Sequence, residues 1–414
     1  GMDMFEDAEE NGFDYETVKY VFKNSINLMT KAEKIQFKSS EIAFLTLILW
    51  MSYRHSELTL LDEVFAIIKQ NARKIKSYDV RKQFYIAIAY NIAGESEQAR
   101  NNQIPNSKDI QAANITAVNC HSAIEYFWFI RNEFEQLPEF GKLYSSVMDN
   151  IAFNTRLMDE KSHEKLELAL SILEDLKIFE LKELFDGVEI SLAHLYYHEG
   201  IIHYDMKLYD KALECLKTAE EYINQYDEED YLLGEGLFAL VLNQRAACNS
   251  RIGERLKDVD IDKANIYYKN SIDDIKKSLE IKLRLFGENS FYVAVAYDNI
   301  ARFSKAYEIA QPTFVKLSSG VYDYALRAIE IAKRIFSENG KTTARSYMTL
   351  AWCMDADKMY DKKFVGYIKK AVEISPVTYK KDAAKLYNNA IEYYKNISDL
   401  EEAIIFIEEA EKLQ

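Results

Sequence analysis

His194-Leu-Tyr-Tyr-His-Glu-Gly-Ile-Ile-His-Tyr-Asp-Met-Lys-Leu-Tyr209 runs into Asp210-Lys-Ala212 and on to Leu216 and Ala219. Small residues stand at 200, 212 and 219, an aromatic at 209 and a bulky apolar residue at 216. Apolar residues at three- and four-residue steps on both sides of Lys207 predict two helices. Small residues at helical spacing let two such helices approach closely, while the aromatic fills the groove beside them. The same arrangement returns downstream. Ser278-Leu-Glu-Ile-Lys-Leu-Arg-Leu-Phe-Gly-Glu-Asn289 precedes Val293–Ala301, and Ala328-Ile-Glu-Ile-Ala-Lys-Arg-Ile-Phe-Ser-Glu-Asn339 precedes Thr343–Ala351. Phe286 and Phe336, Ala294 and Ala344, Tyr297 and Tyr347, and Ala301 and Ala351 are each 50 apart. A weaker third copy places Ala371-Val-Glu-Ile374 before Tyr387-Asn-Asn389. The chain repeats a helix pair.

Gly200, Tyr209, Ala212, Leu216 and Ala219 resemble the tetratricopeptide repeat. That family carries small residues at its eighth, twentieth and twenty-seventh positions, an aromatic at the seventeenth and a bulky apolar residue at the twenty-fourth. The copies around Ala301 and Ala351 look like its longer kinesin-light-chain-type variant. The resemblance covers about residues 190–410, and 140–190 more weakly. Eighth-position equivalents at Gly200, Ala247, Ala301, Ala351 and Ile391 lie 47, 54, 50 and 40 residues apart, against about 34 for the standard repeat. Gly253–Asp262 and Gln311–Gly320 are therefore expected insertions. Ile391 departs from the small-residue rule, as terminal repeats do. The resemblance implies an all-α fold, a right-handed superhelical array of antiparallel helix pairs.

Composition agrees with long helices. Only 4 Pro and 13 Gly occur in 414 residues, against average usages of about 5% and about 7%. A β-sandwich or doubly wound sheet needs more turn residues than that. Helical periodicity marks 14–36, 39–54, 59–76, 78–92, 112–136, 142–157 and 162–183. A polar loop at Gly94–Gln111 and a stop at Leu137-Pro138 interrupt it. The expected domains are a divergent helical region over 1–140 and a repeat domain over 141–414.

The 67 acidic and 52 basic residues give a net charge of −15, which disfavours a phosphate-tracking surface, so no nucleic-acid partner is expected. Cys120, Cys215, Cys248 and Cys353 show no metal-type spacing and read as core residues in a reducing compartment. The acidic amino terminus is unlike a signal peptide. The most apolar run, Ile42–Met51, is too short to span a bilayer. A cytoplasmic protein without a membrane partner is expected. Gly1 before Met2 looks like a tag remnant.

Catalytic patterns are sparse. Gly-x-Ser-x-Gly, P-loop and dinucleotide-type glycine patterns do not occur. Cys120-His121 are sequence neighbours, which does not set nucleophile and base together on a helix. His194, His198 and His203 hold half of the six histidines within ten residues. His194 and His198 share a helical face as metal ligands do. Yet Glu199 follows the second histidine, so HExxH is not formed, and packing or groove lining is the expected role. Acidic pairs such as Asp273-Asp274 and Glu401-Glu402 read as solvated helix faces. No catalytic residue, metal or cofactor is assigned.

What the resemblance implies instead is a binding groove lined by the first helix of each pair. Carrying over the family's groove positions gives Tyr197, Ile201 and Tyr204, then Gln244, Cys248 and Arg251. Asn299, Arg302 and Lys305 follow, and then Arg345, Met348 and Trp352. Asn299 sits where the long variant carries an asparagine, whose amide clamps a peptide backbone by donating and accepting at once. Arg302, Lys305 and Arg345 would meet a partner's carboxylates. The carboxylate clamp of chaperone-binding repeats is not reproduced, since Tyr197 and Ile201 hold the corresponding positions. The leading expectation is a non-enzymatic scaffold that captures a protein or peptide segment, an acidic one by the charge of these cations. A second reading is a regulatory sensor resembling Rap-type peptide receptors, carried by Tyr196–Tyr204, Ala212 and Ala219-Glu220. A third is a metal-dependent enzyme built on the three histidines.

Overall fold

A computed structural model describes Tyr20, 39–54, 58–72, 85–86, 88–90, 92–93, 145, 148–149, 152–153, 155–156, 162–180, 188–225, 231–310, 320–336 and 340–413. The expected helix over 112–136, most of that over 14–36, the Gly94–Gln111 loop, Leu137-Pro138 and Cys120-His121 lie outside the described residues. Among the described residues the ordered structure is helical throughout and contains no strand. The chain divides into two compact units, residues 1–100 with 110–206, and 101–109 with 207–414.

In the first unit α1 (Ser39–Arg54) packs against α2 (Leu58–Ala72), and α3 (His163–Glu180) against α4 (Val188–Asp205). Ile42, Leu45 and Leu49 on α1 and Val64 and Ile68 on α2 are fully buried, following the three- and four-residue apolar steps.

The second unit contains α5 (Tyr209–Ile223), α6 (Tyr231–Leu256), α7 (Ile261–Phe286), α8 (Phe291–Ala310) and α9 (Gly320–Phe336). It continues through α10 (Lys341–Ala356), α11 (Lys362–Ile374), α12 (Pro376–Asn396) and α13 (Leu400–Glu411). Each helix packs on the next, and α6, α8, α10 and α12 also touch in succession. That contact pattern is a stack of helix pairs in which the first helices form one layer. Local sequence sets the ends. Asp260, Asp361 and Asp399 cap α7, α11 and α13 by accepting from backbone N–H groups of the first turn. Gly287, at φ 68, closes α7 in a conformation open to glycine.

The repeated small residues occupy the core, whereas Phe286 is 43% exposed and Tyr297 half-buried. Ala212, Leu216, Ala219, Ala294, Ala301, Ala344 and Ala351 are all 0% exposed, and Tyr347 is 2%. The long repeat spacing has a different source from the expected insertion at Gly253–Asp262. Helix α6 runs through Leu256 and α7 starts at Ile261, and each is 26 residues long. The extra length is helix. Residues 311–319, most of the other expected insertion, lie outside the described residues.

A seam of small residues holds these two helices together. Ala239, Ala246 and Gly253 recur every seven residues on α6, and Ser278, Ser271 and Ala264 recur in the opposite direction on α7. Ser278 Oγ donates to the Ala239 carbonyl at 2.6 Å and Ser271 Oγ to that of Ala246 at 2.7 Å. Side chains larger than serine would keep those hydroxyls from the facing backbone. A Cβ on Gly253 would come within 3.1–3.2 Å of the Tyr268 ring, which is 1% exposed. One on Gly236 would meet nothing nearer than 4.0 Å. Both substitutions to alanine gain about 1 kcal/mol of helix propensity. Gly236→Ala is expected to keep that gain, whereas Gly253→Ala loses a net ~1–2 kcal/mol to overpacking. Urea midpoints of the two variants check this. A gain in both would show that the seam tolerates a methyl group.

Candidate functional site

A polar ladder crosses successive first helices of the second unit. Lys282 on α7 is 2% exposed, and its Nζ donates to Asn243 Oδ1 of α6 at 3.5 Å. Asn299 Nδ2 of α8 donates to the same oxygen at 3.0 Å. Asn299 Oδ1 in turn accepts from Arg345 Nη2 of α10 at 2.6 Å, and Arg345 Nε donates to Asp298 Oδ2 at 2.9 Å. Asp298 is 1% exposed and its Oδ1 finds no hydrogen-bond donor among the described residues.

This arrangement fixes both amides. Two donors on Asn243 Oδ1 turn its Nδ2 away from Lys282 and Asn299. Asn299 both donates and accepts within the ladder. The Arg345 side chain is 37% exposed and uses Nε and Nη2 of its fork, so guanidinium donors remain for a ligand. Tyr379 on α12 lies within electrostatic reach of Arg345, Asp298 and Arg302. Burial pushes its phenol up to about 12, with the two arginines opposing and Asp298 reinforcing the rise. Asn243, Asn299 and Arg345 thus project from three adjacent first helices into one polar line.

The other sequence candidates fall differently. Lys305 is 2% exposed and donates to both oxygens of Asp357 at 2.7 Å and to Glu308 at 2.9 Å. Burial alone would lower its ammonium, but hydrogen bonds to Asp357 and Glu308 and their charge hold it above the usual lysine range. It is a buried cation neutralised by the fold. Cys248 at 0% and Met348 at 8% fill the core, and Trp352 packs partly buried against the carboxyl-terminal cluster. Arg251 pairs with Glu254 at 2.9 Å on the surface of α6. Arg302 is half-buried. Gln244 Nε2 is buried without a hydrogen-bond partner among the described residues. Tyr197, Ile201 and Tyr204 belong to the first unit, where Ile201 is buried at 8% and the two tyrosines are half-buried.

The histidines separate. His203 Nε2 lies 3.8 Å from Glu199, whereas His198 Nδ1 lies 2.6 Å from Asp149. Burial pushes the His194 imidazole down to about 4, with Asp149 opposing that fall and His198 adding to it. Sequence reading missed Asn243, Lys282, Asp298, Tyr379 and Asp149. Asn243 is the neighbour of the candidate Gln244, and the others gain their meaning from partners distant in the chain. Burial also pushes the Cys248 and Cys353 thiols up to about 12, which makes both poor nucleophiles.

No family model matches the chain, and no curated protein matches it. Among solved structures, it is similar to a BtubC (BKLC) structure from P. vanneervenii at 17% identity, covering 60% of this chain and 90% of that one with a TM-score of 0.42. It is also similar to a Rap protein complexed with Competence and Sporulation Factor at 12% identity, covering 91% and 98% with a TM-score of 0.46. A human IFIT1 dimer with m7Gppp-AAAA matches at 14% identity, covering 94% and 93% with a TM-score of 0.37. All three scores lie below 0.5, so the helix-pair array rests on the chain's own contacts.

Proposed function

We propose that the second unit is a non-enzymatic scaffold of tetratricopeptide type that captures a protein or peptide segment in extended form along α6, α8 and α10. The Asn243–Asn299–Arg345 ladder carries this reading. An extended backbone offers alternating N–H and C=O groups, and amides fixed at successive helices can pair with them in register. Arg345 is the charged end of that line and suits a side-chain or terminal carboxylate, which its planar fork holds by paired hydrogen bonds. Asp298 offsets Arg345, and Asp357 and Glu308 offset Lys305, which leaves the buried Lys282 as the cation of the ladder without a carboxylate among the described residues. That favours a peptide carrying a few carboxylates over a nucleic-acid backbone. No described helix is long and apolar enough to cross a membrane. The role proposed needs neither cofactor nor catalytic residue.

Selection of random-sequence peptides on the immobilised 414-residue chain tests this. Ligands sharing an acidic side chain or a free carboxyl terminus are expected. Arg345→Gln and Asn299→Ala should each weaken a selected peptide by about tenfold or more while urea midpoints show the variants folded. Selected peptides that bind both variants as tightly as the parent would remove the ladder from the binding site.

A further inference from the structure

A second cluster lies in the first unit, apart from the ladder. Asp149, at 8% exposed, comes from a stretch of chain far from α4, yet its Oδ1 lies 2.6 Å from His198 Nδ1. His194 stands one helical turn before His198, and the two rings are 6.2 Å apart between centroids. One ligand atom from each of Asp149, His194 and His198 lies within 4.8 Å of the other two. Phe153 covers the His198 ring at 4.5 Å and Tyr197 flanks it at 5.3 Å, so the walls are aromatic. Arg156, stacked over Phe153 at 4.1 Å, is engaged with Asp205 at 2.6 Å.

We propose that Asp149, His194 and His198 bind a divalent transition-metal ion of the zinc class. Two imidazoles and one carboxylate are a three-ligand set that leaves a fourth position for water or a ligand. Zinc bonds to such ligands are about 2.0–2.2 Å, so a tetrahedral site spaces its ligand atoms by about 3.4 Å. The present limit of 4.8 Å closes to that spacing by side-chain rotation. The ion displaces the proton shared by Asp149 and His198, and their separation opens from 2.6 Å to the same edge. His203 is excluded because its Nε2 turns to Glu199. Two nitrogens with one oxygen disfavour calcium and magnesium, which take oxygen ligands.

The test uses the 414-residue chain without a polyhistidine tag, stripped of metal, and titrated with Zn²⁺ at neutral pH against a chromogenic chelator. One sub-micromolar equivalent is expected, together with a higher melting temperature. Co²⁺ in its place should show the intense visible absorption of a four-coordinate ion. His194→Gln and His198→Gln should each lower zinc affinity by about 100-fold or more, while His203→Gln binds as the parent does. Circular dichroism of the metal-free proteins checks folding, and Asp149→Asn replaces any glutamine variant that fails it. Absence of one tight equivalent in the parent, or its retention in the variants, overturns the site.

Discussion

Lys305→Met is expected to destabilise the second unit by about 3–5 kcal/mol, lowering its melting temperature by about 6–20 °C. The lysine is 3% exposed in its side chain, and its partners Asp357 and Glu308 are 14% and 13% exposed. Removing the ammonium leaves two carboxylates together, largely out of water. Asp357 follows the last residue of α10 and also accepts from the Tyr322 hydroxyl of α9 at 2.5 Å. Three helices therefore meet at one carboxylate. The cost comes from the orphaned charge, so Lys305→Met with Asp357→Asn should recover part of the loss. Urea denaturation of the single and double variants measures both. A single-variant loss below about 1 kcal/mol would mean that water reaches the carboxylates and that the triad counts as a surface pair.

Lys282→Met is expected to act in the opposite direction. Burial pushes the Lys282 ammonium down to about 8 from 10.5, and no carboxylate among the described residues compensates it. At neutral pH the folded protein carries this charge against its desolvation cost. The gap from about 8 to 10.5 corresponds to about 3 kcal/mol. Below pH 8 both folded and unfolded chains are protonated there and the penalty is complete. Between pH 8 and 10.5 the unfolded chain binds more protons, so the parent gains stability as pH rises and the penalty fades. Methionine, similar in length and uncharged, should raise the melting temperature by about 6–12 °C at pH 7, with the difference vanishing near pH 10.5. A difference that stays constant across that range would show that folded and unfolded chains hold this proton alike, so that burial does not weaken the lysine's hold on it. Retaining such a residue fits a polar line kept for binding at the expense of stability. Methionine would also free Asn243 Oδ1 from one of its two donors and loosen the amide.

The helix-pair fold was readable because its signal is local and repeated. Ala294, Ala301, Ala344 and Ala351 recur with a fixed spacing, and every one is fully buried. Helix limits followed from periodicity and caps, as the expected 39–54 and 162–183 show against α1 and α3. The polar ladder was harder to read. Side chains along a helix turn by about 100° per residue, so one step of register on the 26-residue α6 changes the face a side chain presents. That is the distance between Gln244 and Asn243. Cys248 and Met348 entered as groove positions on the same register and lie in the core. Asn299 and Arg345 joined the ladder because they are polar on the layer the first helices share. Lys305 was visible as a cation, but its neutralising partner lies 52 positions away. Asp149 could not be matched to His198 at 49 positions' separation by any local pattern.

Hydrogen exchange of the second unit, with and without a selected peptide, tests the binding account most directly. The account predicts added protection on α6, α8 and α10 around Asn243, Asn299 and Arg345, lost with Arg345→Gln. Protection confined to other helices, or unchanged by that substitution, would contradict a peptide line along the ladder.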